Sequence, residues 1–476
     1  MKKLIVGIFV CILASCSENS FDSSSAGDGF GELRQLSTTT PVPDVLHGVW
    51  QSKGYGWIFD ISEDGLTQFQ IAGDICFEAP EDSLSLTDTL ALSYQYYRLG
   101  PNDDRAILQL LPEDTEIHIE RIDNLPTACA QPIDTSYEGV FEYYATLIGS
   151  HYAFFDERNI DWISRVMTAR SELSNVETDL EFFDLLAGMI DGFSDSHTKL
   201  IGVVDGKGRR QQDGLGPTLS YVRLNGLETP WLIDIFGSMQ TEILDLGSLH
   251  TANDRILWGT IDDGRVGYIQ ILQMGGFSGV DISDPEFRQA EFDVFDGVMN
   301  EALVEMSDSE FVILDLSNNR GGYDAISRRV ASRFASETFD AYTTEIPGSG
   351  VPARTRSVEP AMGVRFEGPV VLLTSDVTVS GGEISTLALR QLPNVVHVGG
   401  TTRGSFSTVL SKPLPSGWVV ELANEVIAAP DGTVFEETGI EPEIALDVFP
   451  EGDPIGGHRQ AIQWILANYP FDTDAQ

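Results

Sequence analysis

Positive charge is what this 476-residue chain most lacks: 29 Lys plus Arg stand against 73 Asp plus Glu, a net charge of −44. A surface of that sign repels phosphate backbones and anionic headgroups and leaves a nucleic-acid role without support. It names no partner, since a solvated acidic face accounts for it. Histidine is scarce, seven in all, and no two have the H-E-x-x-H spacing of a zinc site, so neither a metal nor a cofactor is expected. Cysteine is scarcer still, four in all, and two of these, Cys11 and Cys16, fall in the first sixteen residues. Beyond those residues no apolar run suggests a membrane span. The chain does have 42% hydrophobic against 21% charged residues, enough apolar surface to exclude a wholly disordered protein, and a length that suggests about three domains.

Met1-Lys2-Lys3 followed by an apolar stretch from Leu4 to Ala14 reads as an export signal, basic first and too short to span a bilayer. Leu13-Ala14-Ser15-Cys16 resembles the bacterial lipoprotein box, in which the thiol is lipidated and becomes the new N-terminus. Residues 1–15 are therefore assigned to a lipoprotein signal peptide, and Cys16 to a lipid anchor in the cell envelope, on a periplasmic face or the cell surface. Residues 16–40, rich in Ser, Thr, Gly and Asp, read as a flexible tether with an end-to-end distance of about 25 to 30 Å. Only Cys76 and Cys129 remain. In an oxidising compartment they are candidates for one disulfide worth about 4 kcal/mol, with two buried thiols as the alternative.

Short alternating runs punctuated by Gly, Asp and Pro fill residues 41–132: Gly48 to Trp50, Gly56 to Ile61, Leu66 to Phe69, Ala91 to Tyr94, Ile107 to Leu111 and Ile117 to Ile119. They predict a small antiparallel, barrel-like β domain. Over 133–200 the spacing turns helical (Phe141, Tyr144, Leu147, Ile148, Tyr152; Leu180, Phe183, Leu186, Ala187, Ile190), which predicts a helical cap. Residues 201–265 read as a strand-rich connection, with Leu219 to Val222 and Trp231 to Ile235 as strand-like pieces. From 266 to 476 strands alternate with helices: Gly267 to Ile271, Phe311 to Leu316, Val370 to Thr374 and Val395 to Val398 as strands; the segments 292–303, 323–335 and 380–392 as helices. That order implies a mainly parallel sheet covered on both faces, with ligands at the carboxyl ends of its strands.

Three sharp transitions carry chemical potential. Asp315-Leu316-Ser317-Asn318-Asn319-Arg320-Gly321-Gly322 leaves a buried strand for glycines whose N–H groups suit an oxyanion, although taken alone the motif reads first as a tight turn. Ser380-Gly381-Gly382-Glu383 opens a helix, where free N–H groups and the helix dipole would stabilise an alkoxide; taken alone, Ser380 reads as an N-cap. His197 follows Asp195-Ser196 and is flanked by small polar residues able to orient an imidazole. His47, His118, His250 and His458 read as surface or strand residues, and His397 as a packed one.

Taken in order, His197, Asp315-Leu316-x-x-Asn319-x-Gly321-Gly322, Thr378-x-Ser380-Gly381-Gly382-Glu383, Val398-Gly399-x-Thr401-x-x-Gly404 and Glu436-x-x-Gly439-Ile440-x-Pro442 resemble the C-terminal processing peptidase family, and within it the tricorn-like branch. The resemblance covers about 140 to 450. It implies an α/β catalytic domain of the Clp protease/crotonase-like type and peptide or protein substrates. It also implies roles: Ser380 as nucleophile, His197 as general base and acid, Glu436 as the acidic partner with Glu437 adjacent, Ser196 completing a tetrad, and Gly381 with Gly321 or Gly322 as the oxyanion hole. The family's serine–lysine branch places a lysine where Ser405 stands here, and Lys412 falls outside the motif, so the resemblance favours the histidine mechanism. Two other readings stay open: a non-catalytic binder of peptides or hydrophobic ligands on the same scaffold, and a serine esterase.

Overall fold

The computed structural model describes residues 29–37, 40–63, 65–78, 94–282, 284 and 286–471. The leader, Cys16 and the first part of the tether lie outside the described residues. The chain opens with β1 (Arg34–Gln35), β2 (Gly48–Ser52), β3 (Trp57–Ser62), β4 (Gly65–Ala72), β5 (Ile75–Glu78), β6 (Tyr96–Leu99), β7 (Arg105–Gln109) and β8 (Glu116–Ile122). They form one antiparallel sheet in the order β1-β6-β7-β8-β2-β3-β4-β5. Arg34 and Gln35, placed in the tether by composition, instead pair with Tyr97 and Tyr96; a two-residue polar edge strand has no periodicity to read. Ala91 to Ser93 lie outside the described residues, and the strand there is Tyr96–Leu99. Cys76 and Cys129 are disulfide-bonded.

Three helices follow, α1 (Tyr137–His151), α2 (Trp162–Leu173) and α3 (Asp179–Met189). The last begins in a capping box: Thr178 Oγ1 accepts from the Glu181 N–H (3.2 Å), and Glu181 Oε2 from the Thr178 N–H (3.0 Å). Such a box stabilises a helix by about 1 kcal/mol. Next come β9 (Lys199–Val204), β10 (Lys207–Gln212), α4 (Gly216–Leu224) and α5 (Glu228–Ser238). The two helices correct the strand-like reading of Leu219 to Val222 and Trp231 to Ile235. Runs of four or five mostly apolar residues fit either element, and here Leu219, Val222, Trp231 and Ile235 turn one helical face each into a shared core.

The remaining elements are β11 (His250–Ala252), β12 (Ile256–Ile261), β13 (Val266–Ile271), α6 (Phe287–Glu305), β14 (Phe311–Asp315), α7 (Asp324–Ser332), β15 (Phe339–Glu345), β16 (Arg354–Val358), β17 (Val370–Thr374), α8 (Gly381–Leu389), β18 (Val395–Gly399), β19 (Val409–Pro413), β20 (Val419–Ala423), β21 (Val426–Ala428), β22 (Ile444–Ala445) and α9 (Pro454–Asn468). Seven strands in the order β11-β12-β13-β14-β17-β18-β22 make the central sheet, parallel from β13 onward. Successive residues of β14 feed opposite faces: Val312 and Leu314 join a core with Phe295, Ala331 and Ile384, while Phe311 and Ile313 join one with Trp231, Ile235 and Ile462. Burial on both faces is why these strands read as unbroken apolar runs.

A third core unites the N-terminal sheet, the helices α1 to α3 and the strands β9, β19 and β20. β9 pairs with β10 on one side and β20 on the other, giving the sheet order β10-β9-β20-β19. Helical cap and peptidase-like half therefore share one sheet. His458 corrects another expectation: on α9 it is fully buried, its Nε2 2.6 Å from Asp315 Oδ2, and Asp315 also accepts from the Tyr268 hydroxyl at 2.7 Å. Its partner lies 143 positions away in sequence, so no local pattern marks it.

Candidate active site

The carboxyl ends of the adjacent parallel strands β14 and β17 launch the two glycine-rich turns. Ser380 closes the second of them with φ 56° and ψ −120°, a conformation that L-residues other than Gly rarely occupy. Its N–H donates to the Ser405 carbonyl and to Glu383 Oε2, both at 3.1 Å, and its carbonyl accepts from Glu383 (2.8 Å) and Ile384 (3.0 Å). The strained residue is thus held by both of its backbone groups. Gly321 packs directly against it: with φ 81°, a Cβ there would lie 2.7 Å from Ser380 Cβ and 3.1 Å from its Oγ. Only glycine fits that turn.

Two amides beside the serine are free. The Gly321 N–H is spent on Asn319 Oδ1 at 2.9 Å, whereas those of Gly322 and Gly381 have no hydrogen-bond partner among the described residues. They are neighbours, since a Cβ on Gly381 would lie 3.1 Å from Gly322 N. With the positive end of α8 behind them, they leave two uncommitted donors next to the serine.

His197 sits on the loop joining α3 to β9. Buried Asp195 shapes that loop by accepting from the N–H groups of His197 (3.0 Å) and Thr198 and from the Tyr152 hydroxyl (2.9 Å). The ring is buried, Nδ1 has no hydrogen-bond partner, and burial pushes its pKa down to about 4 against the pull of Asp195. The imidazole is neutral near pH 7, the form a base requires.

No hydrogen bond joins the Ser380 hydroxyl to the His197 ring. What brings their segments together is Ser405, whose Oγ accepts from the Ser196 N–H at 3.0 Å while its carbonyl accepts from the Ser380 N–H at 3.1 Å. Ser405 is in turn held by its own N–H on Glu383 Oε2 at 2.9 Å. That carboxyl also accepts from Gly404 (2.6 Å), and burial pushes its pKa up to about 7 against the pull of these donors. Lys412 is no rival base: its ammonium is buried on the carbonyls of Tyr55 (2.9 Å) and Gly56 (2.5 Å).

Glu436 is the inward member of its pair, 3% exposed; the Glu437 side chain is 37% exposed. Glu436 accepts from the N–H groups of Phe406 (2.7 Å) and Ser407 (3.3 Å) and from Arg158 Nη2 (3.0 Å), and makes no hydrogen bond to Ser196. Burial pushes it up to about 8 against the pull of Arg158. Arg158, its side chain 1% exposed, also reaches Glu437 Oε2 (3.1 Å) and Ser194 Oγ (3.2 Å). Sequence reasoning missed Arg158, Asp195 and Ser405. The sole prior signal for the first is an arginine among Phe154, Phe155 and acidic neighbours in a cation-poor chain.

A parallel-centred α/β sheet that presents a strained serine at a helix N-terminus, topped by a helical cap and preceded by a β domain, defines an α/β fold of the Clp protease/crotonase-like type. Residues 265–446 match the model for Peptidase family S41, a span that holds Ser380, both glycine turns and Glu436, while His197 precedes it. No curated protein sequence matches. Among solved structures, a candidate peptidase from Parabacteroides merdae is 20% identical, with 72% of this chain and 99% of that one covered and a TM-score of 0.54. Mature CPAF complexed with lactacystin is 13% identical, with 70% and 98% covered and a TM-score of 0.51. These likenesses extend the shared fold well upstream of residue 265.

Proposed function

We propose that this chain is a serine-type peptidase of the tricorn-like C-terminal processing kind, with Ser380 as nucleophile and His197 as its base. The observation that carries the reading is the strained Ser380 beside two unpartnered amides, with the His197 loop hung from the same residue, Ser405, that holds the serine's own N–H. Ser380 Oγ attacks the scissile carbonyl as its proton passes to His197, and the developing oxyanion takes the N–H groups of Gly322 and Gly381. The imidazolium then protonates the leaving amine, and water repeats the sequence to release the acyl group. Asp195 supplies the nearby negative charge that favours the imidazolium. Hydroxyl and ring close to hydrogen-bond distance when substrate fills the site, as apo sites commonly do. A fluorophosphonate probe should label the wild type and fail on Ser380→Ala and His197→Ala; equal labelling of all three would sink the proposal.

The absence of a direct Ser380–His197 hydrogen bond favours one competing reading, a binding protein on the same scaffold. That reading predicts no probe reaction and no product by mass spectrometry from a diverse peptide mixture. For location, we propose lipidation of Cys16 and residence in the cell envelope. Labelled palmitate should enter the wild type and not Cys16→Ser.

A further inference from the structure

The densest run of positive charge near the candidate site is Lys207-Gly208-Arg209-Arg210, three cations in four residues of a chain whose net charge is −44. It lies on β10, which stands at the end of its sheet and pairs with β9 alone, leaving one side of its backbone unpaired. Lys207 and Arg210 are exposed and make no ion pair among the described residues; Arg209 meets exposed Asp184 at 3.7 Å. Between this strand and Phe183, Asp184 and Ala187 of α3 runs an open groove of about 410 Å³. The strand leads to the chemistry. Its last residue, Gln212, pairs with Lys199, two positions beyond His197, and the Gln212 amide donates to the carbonyl of Ser196.

We propose that this groove docks an extended segment of the substrate with carboxylates on both of its faces, which adds to the free edge of β10 and meets Lys207 on one face and Arg210 on the other. The inference rests on the peptidase reading of Ser380 and names the class of peptide that site takes. Strand addition supplies affinity through backbone hydrogen bonds, and cations along one edge supply selection. Six residues of strand cover about 20 Å, so carboxylates over Arg210 and Lys207 sit about three and about six residues from the scissile bond. In a protein otherwise so negative, a local basic strip also orients an acidic chain on approach.

The test uses the Ser380→Ala protein, so that binding is read without hydrolysis and stands apart from probe labelling at Ser380. A fluorescein-labelled decapeptide of Glu-Glu-Val repeats, which carries carboxylates on both faces when extended, is titrated by anisotropy, with the Gln-for-Glu peptide alongside. The acidic peptide should bind, weaken as salt rises, and weaken about tenfold or more in K207E/R210E. N-methylation at alternate residues should remove binding, since it removes the edge hydrogen bonds. Thermal unfolding checks the double variant, and K207Q/R210Q replaces it should its midpoint fall. Equal binding of the two peptides, indifference to charge reversal, or full binding of the N-methylated peptide would each overturn the proposal, leaving the basic strip as a guard against edge-to-edge aggregation.

Discussion

Arg158 and Glu436, 278 positions apart, meet as a buried ion pair with Nη2 3.0 Å from Oε1. The pair ties the loop after α1 to the loop before β22, and Arg158 extends the tie through Ser194 to the segment that ends in His197. Removing the arginine leaves Glu436 Oε1 without its donor and Asp195 and Glu437 without their buried cation. Arg158→Ala should therefore cost about 3 to 5 kcal/mol in urea unfolding, with Arg158→Lys recovering part of it. An unchanged midpoint for the alanine variant would show that the pair is not needed for stability.

Ser405 acts through other residues, so it is a positioning residue. Ser405→Ala leaves the Ser196 N–H without its acceptor and should lower stability by only about 1 kcal/mol. Activity should fall by about tenfold or more, chiefly in kcat, because a small displacement of the His197 loop spoils the approach to the serine. Ser405→Thr should restore much of the loss. A KM-only effect would argue against this role.

Gly321→Ala forces a Cβ to within 2.7 Å of Ser380 Cβ at a positive φ. Strain of about 1 to 3 kcal/mol follows, and labelling by a fluorophosphonate should drop by about a hundredfold as the serine is pushed aside. Retained labelling would mean that the turn gives way instead.

The pH dependence has two parts. His197, pushed down to about 4, remains unprotonated at pH 5, so the acid limb of kcat/KM should lie near 4 instead of 6.5. Its stability contribution is complete above 6.5 and is lost as pH falls toward 4. Glu383 and Glu425 at about 7 and Glu436 at about 8 act in the opposite sense, complete below 4.5 and lost as pH rises through those values. Above pH 6.5 the buried carboxyls alone of these groups still contribute a slope, so the urea midpoint should fall from pH 6.5 to 8, less steeply in Glu436→Gln.

Local pattern was enough to find Val370 to Thr374, because a strand buried on both faces is apolar throughout and the turn that ends it is rich in small residues. Ser380 and His197 lie at the ends of such periodic elements, but taken alone Ser380 reads as an N-cap, and only the order of the motifs along the chain singled the two out. Leu219 to Val222 did not reveal its helix, since a four-residue run carries no period. Arg158 and Ser405 were invisible because their importance lies wholly in partners 278 and 209 positions distant. That the Gly321 N–H is committed while the Gly322 N–H is not likewise depends on where the Asn319 side chain points.

Lys412 carries a consequence for how the parts of the molecule depend on one another. Its side-chain nitrogen, its pKa held well below the ordinary value by burial, hydrogen-bonds the main-chain oxygens of Tyr55 and Gly56 and lies over the Trp57 ring, and its strand adjoins β20, which adjoins β9. The β domain at the front of the chain is thereby a structural keystone: cutting it away would strip Lys412 of both acceptors and unroof the sheet that runs from β19 through β20 to β9, two residues beyond the imidazole, so truncation would loosen the site itself.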